Sequence, residues 1–172
     1  LILCQDQRMS VITGAMIEWA ENPAILSEAC RVLGNALASE AKTVETTGIM
    51  EIVLKAMHKH PNSEDLQGNG CGALGSLLFQ GNSKERFVTK LDGLTTIAAA
   101  MKTLPGNARL QGLGCVVMSI LSKLPELKDH LIEAGCVELA VAAFRLHKNA
   151  QNNHAKVIKD LAPKITSCLM KA

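Results

Sequence analysis

The chain has 172 residues, enough for one domain with a real core. Hydrophobic residues make up 48% of it but aromatics only 2%, with no tyrosine, which disfavours an aromatic-rich sheet and points to closely spaced helices packed through Leu, Ile, Val, Ala and Met. A net charge of +2 argues against a generally nucleic-acid-coating surface, and no apolar run approaches the ~20 residues that span a membrane.

The chain opens with LILC, without a Met and too short for a secretory signal. Leu3 stands four residues before Gln7 as Val44 stands four before Gly48, so residues 1–6 read as the end of a preceding repeat and the chain as a piece of a longer protein. Landmarks then recur. Cys30, Cys71 and Cys115 lie 41 and 44 residues apart, each five positions after an aliphatic residue (Ile25, Leu66, Leu110) that itself follows a methionine by nine (Met16, Met57, Met101). Gly48, Gly93 and Gly135, 45 and 42 apart, each open an apolar segment. Two marker sets with one period in the low forties are a helical-repeat signature, since a propeller blade would need four strands in that length. A single repeat domain follows, with units at about 7–47, 48–92, 93–134 and 135–172.

Within the units, the Asn22-Pro23 step in ENPAI is a corner. In GIMEIVLKAMHKH, Met50, Val53, Leu54 and Met57 form one buried helical stripe. Pro61 ends that helix, and Asn62 or Ser63 can cap the next, with Glu64 and Asp65 in its first turn. The glycine-rich phrase LQGNGCGALGSLL (66–78) returns as LQGLGCVVMSIL from Leu110. It lacks the preceding strand and the Gly-Lys-Ser/Thr end of a phosphate loop, so it reads as a packing device in a helix. SKERFVTKLDG and ELKDHLIEAG supply a further short helix before Gly93 and Gly135, Pro105 and Asn107 repeat the corner, and Pro163 interrupts the final segment.

This order of a glycine-led helix, a Pro/Asn turn and a helix of small residues and leucines resembles the armadillo repeat. Residues 25–37 match the second half of its pattern at Ile25, Ala29, Val32, Leu33, Asn35 and Leu37, and residues 66–78 match at Gly70, Ala73, Leu74 and Leu77. The resemblance implies an all-α, right-handed α-solenoid of armadillo-like repeats. It puts Gly70 and Gly114 on a small-residue site where helix axes approach closely. It also implies a concave groove lined by third helices, in which an Asn ladder grips a peptide. Here the Asn position holds Asn35, Ser76 and Ile120, and the position used by tryptophan in nuclear import adaptors holds Arg31, Gly72 and Val116. One turn back the column continues as Glu28, Asn69 and Leu113. The sole tryptophan, Trp19, lies on another helix, so a basic import signal is not the expected ligand. The expected groove grades from charged and polar to aliphatic, and the alternative for its aliphatic end is that the last segment folds over it or that the register shifts by one residue and Leu113, Val116 and Ile120 are core.

No enzyme signature appears. The six cysteines form no CxxC pair and read as small buried apolar residues in a reducing compartment, and His58 and His60 read as a solvated helix end with too few ligands for zinc. No catalytic residue, metal or cofactor is expected. Residues 145–172 carry six Lys/Arg against Asp160, a net +5, as the polar outer face of a terminal repeat does. The expected function is a cytosolic or nuclear, non-enzymatic scaffold for a protein or peptide partner, with nucleic acid disfavoured and oligomeric state open. The alternative is a regulatory or structural segment of a larger enzyme, such as a kinase, GTPase or ubiquitin ligase.

Overall fold

The computed structural model describes residues 5–39, 47–80 and 83–170, so Cys4 and Val44 lie outside the described part. Every regular element among the described residues is helical. The chain divides into two compact units, Leu1–Ser83 and Lys84–Ala172.

Unit 1 contains α1 (Gln5–Glu18), α2 (Pro23–Ser39), α3 (Thr47–Lys59) and α4 (Glu64–Gln80). Asn22 starts α2 by accepting the amides of Ala24 and Ile25 at 3.0 and 3.3 Å, with Pro23 at a first-turn position that needs no amide hydrogen. The longest packing runs between α2 and α4, with α3 laid on α4 and α1 on both α2 and α3. Met16, Leu26, Leu33, Met57, Leu66 and Leu74 are fully buried in this core. Helix α4 carries the four glycines of the repeated phrase, which cost about 1 kcal/mol each relative to alanine. Leu66, Leu74, Leu77 and Leu78 on the same helix are wholly buried, and each contributes roughly 1.5–3 kcal/mol. Packing therefore outweighs propensity, and α4 is helical because of its neighbours.

Unit 2 contains α5 (Lys84–Thr89), α6 (Gly93–Thr103), α7 (Ala108–Leu121), a short 3-10 turn at Pro125–Leu127, α8 (Lys128–Glu133), α9 (Cys136–His147) and α10 (Asn153–Met170). Asn107 and Asn152 cap α7 and α10 by accepting the amides of Leu110 and Ala155 at 3.0 and 2.8 Å. Helix α10 packs on α7 and α9, and α6 packs on α7.

The glycines of the repeated phrase meet the methionines that share its period. A Cβ at Gly70 would stand 2.8 Å from Met57 Sδ, and one at Gly114 only 2.3 Å from Met101 Sδ. The Gly93 and Gly135 landmarks, by contrast, have different causes. Gly93 leaves room for the Phe87 ring, 2.2 Å from a would-be Cβ, whereas Gly135 adopts φ 77°, a left-handed conformation that suits glycine. The left-handed residue before α6 is Asp92, at φ 51°, one position earlier than the glycine period suggests.

Two expectations need correction. Pro163 does not interrupt α10, which runs through it to Met170; the proline lies on the exposed side, where water can serve a carbonyl left without an amide partner. Cys30, Cys71, Cys115 and Cys136 are buried, but Cys168 is exposed, its thiol directed at the Ser122 carbonyl 3.2 Å away.

Candidate interaction face

Positions spaced by three and four residues share a helix face, so the expected column can be followed along α2, α4 and α7. On α2, Glu28, Arg31 and Asn35 are all exposed. Arg31 donates to the Glu28 carboxylate from Nε and Nη2, along one edge of the guanidinium, with Nε 2.9 Å from Glu28 Oε2. The hydrogen bond from Arg31 holds the Glu28 carboxyl below its ordinary range and the guanidinium correspondingly higher. In open solvent such a pair adds little to stability and leaves both groups available to a ligand.

On α4 the column splits. Asn69 is 7% exposed, its amide donating to Ser27 Oγ at 2.8 Å, so it joins α4 to α2 at the wall of a cleft that Glu28 also lines. Gly72 and Ser76 are half-buried, leaving a low shelf beside α2. One turn on, the same face ends in Phe79, which is 74% exposed. The sequence reading missed this aromatic, although its place three residues after Ser76 and seven after Gly72 was available.

In unit 2, Leu113, Val116 and Ile120 lie half-buried along α7, the helix against which α10 packs. They are neither the closed core formed by Leu110, Cys115, Val117 and Met118 nor fully open.

A second polar system was also missed. Buried Gln67 donates its amide to the carbonyls of Met57 (2.8 Å) and His60 (3.0 Å); buried Gln111 does the same to Met101 (2.8 Å) and Leu104 (3.2 Å). Each satisfies carbonyls left over at the end of the preceding helix. The signal was the Gln in both copies of LQG, overlooked beside the glycines. His60 is more than a solvated helix end, because its Nε2 lies 2.9 Å from the Ala20 carbonyl, just as His147 Nε2 lies 2.9 Å from the Pro105 carbonyl.

Burial pushes the thiols of Cys30, Cys115 and Cys136 up to about 12, which keeps them protonated and poor nucleophiles. Among the described residues no cluster of His, Cys, Asp or Glu could hold a metal ion, and no helix is long and apolar enough to cross a membrane.

No family model matches the chain, and no solved structure matches it. Among curated proteins it is similar to Protein aardvark of Dictyostelium discoideum, with 28% identity over 121 residues, covering 62% of this chain and 16% of that protein. The chain thus spans only a small part of the relative's length, and the all-helical architecture with its repeated glutamine bonds is what the molecule itself displays.

Proposed function

We propose that the chain is a stretch of armadillo-like repeats, a right-handed α-solenoid in which α2, α4 and α7 are third helices, and that it acts as a non-enzymatic protein-interaction scaffold. Its partner is a peptide or helical segment of another protein. The recurrence of the glutamine bonds 44 residues apart supports the repeat reading. The observation that carries the binding reading is the face of unit 1, where Arg31 and Asn35 stand open beside the Gly72–Ser76 shelf and the exposed Phe79 ring. Polar groups there can bond a partner's backbone while the ring holds an apolar side chain. The buried free thiols fit a reducing compartment, cytosol or nucleus.

The test is affinity capture from the native organism, followed by direct titration of the captured segment against folded variants. Asn35→Ala should weaken binding by about 0.5–1.5 kcal/mol and Phe79→Ala by more than about 1 kcal/mol. Unchanged affinity in both variants, with melting unaltered, would defeat the reading. The alternative is a regulatory or structural segment packed on neighbouring domains of a larger enzyme. It would show as binding to a domain of the same full-length protein.

A further inference from the structure

A groove of about 410 Å³ runs between α1 and α3 of unit 1, away from the third-helix column. Its floor is buried and apolar: Met16 and Leu26 are each 1% exposed. Its rim is apolar too, with Ile17 on α1 65% exposed and Ile52 on α3 half-buried. A lone exposed isoleucine is ordinary, but one joined across a groove to a second isoleucine over a buried floor makes a continuous patch. Among the described residues the charged lining groups are Lys55 and Lys59, both exposed and both on α3, with no carboxylate beside them in the lining. Glu21 tethers Lys59 but is itself open to solvent at 85% of its side chain, so an incoming carboxylate can replace it at little cost.

The repeat offers a control for this patch. The matching His60 and His147 bonds set Ala20 against Pro105, and with them Ile17 against Lys102 and Lys59 against Leu146. Unit 2 therefore has a charge where unit 1 has the apolar lip and an aliphatic residue where unit 1 has the lysine. The arrangement of the α1–α3 groove is particular to unit 1 and is not a requirement of the repeat.

We propose that the α1–α3 groove is a second docking surface, one that takes an acidic amphipathic helix from a partner protein. Leucine-type side chains at three- and four-residue spacing would lie on Met16, Leu26 and Ile52, with glutamates or aspartates meeting Lys55 and Lys59. The apolar floor supplies the affinity and the lysines choose orientation and sign of charge. This surface is independent of the third-helix face.

The probe is a short fluorescein-labelled helix with leucines on one face and glutamates beside them, compared by anisotropy with the same peptide carrying lysines for the glutamates. The glutamate peptide should bind about tenfold more tightly, and Ile17→Asp and Lys55→Glu should each cost it about tenfold. Both positions face solvent, and amide shift changes centred on Met16–Ala20 and Ile52–Lys59 in the unsubstituted protein provide a readout free of any folding effect. Equal binding of the two peptides, no binding, or displacement of neither peptide's signal by Ile17→Asp overturns the proposal, as does a groove that takes dodecanoate and ignores the peptide. If Asn35→Ala abolishes binding while Ile17→Asp does not, the peptide sits on the third-helix face, which overturns this inference and leaves the proposed function standing.

Discussion

In unit 1 a buried glutamine ties α4 to the end of α3, and in unit 2 a second glutamine ties α7 to the end of α6 through equivalent bonds. The outward faces of the two units nonetheless differ. Arg31, Asn35 and Phe79 stand open in unit 1, whereas Leu113, Val116 and Ile120 lie half-buried in unit 2. Interiors are held alike because a buried carbonyl must find a donor wherever it recurs. Outward positions carry no such demand, so their differences are where binding specificity can be written.

Paired substitutions can break this comparison, and the sole tryptophan, Trp19, reports unit 1 while circular dichroism reports both units. The largest effect is expected for Gly114→Leu, a destabilisation of about 3 kcal/mol, with Gly70→Leu nearer 1–2 kcal/mol because Met57 leaves slightly more room than Met101 does. A neutral result at both sites in denaturant melts would show that the methionines simply swing aside. Next come Gln67→Leu and Gln111→Leu, each about 2 kcal/mol for the carbonyl left without its donor. Here the two units should respond equally, and a twofold disparity would end the claim that the bonds are equivalent.

Smaller effects belong to the caps. Asn107→Ala should cost about 1 kcal/mol, and Asn22→Ala about 0.5 kcal/mol, since the latter bonds are exposed. Alkali should weaken both units. Unfolded thiols ionise near pH 9.0 while the folded ones keep their protons to about 12, so unfolding is favoured as pH rises through that window. Cys30 in unit 1 and Cys115 and Cys136 in unit 2 are shifted this way, so replacing each by Ala should flatten the alkaline loss of stability. Least of all, Glu28→Gln should leave melting unchanged, because its pair with Arg31 is fully solvated.

Helix positions and corners were legible because apolar spacing and Pro/Asn steps act locally: Asn22 and Asn107 cap where the corners were expected, and the short helices before Gly93 and Gly135 are present. The meeting of Gly70 and Gly114 with methionines could be anticipated from a shared period. Orientation was less accessible. Asn69 sits in the groove register by counting, yet a Ser27 hydroxyl on the neighbouring helix holds its amide, and that partner is 42 residues away. Phe79 escaped because the family pattern ends before it, and Pro163 because a proline on a solvated helix side stops nothing.

The glutamine bonds also bear on where such a chain can change length. Each ties residues separated by 10 and by 7 positions, and those separations are the same in both units, although the neighbouring cysteines drift from 41 to 44 residues apart. A deletion or insertion at the corner between the bonded helices would carry the amide past its carbonyls and leave them without a donor. Insertions, epitope tags or labelling sites should therefore be rejected at residues 61–63 and 105–107, although both corners lie at the surface where a loop would ordinarily accept them.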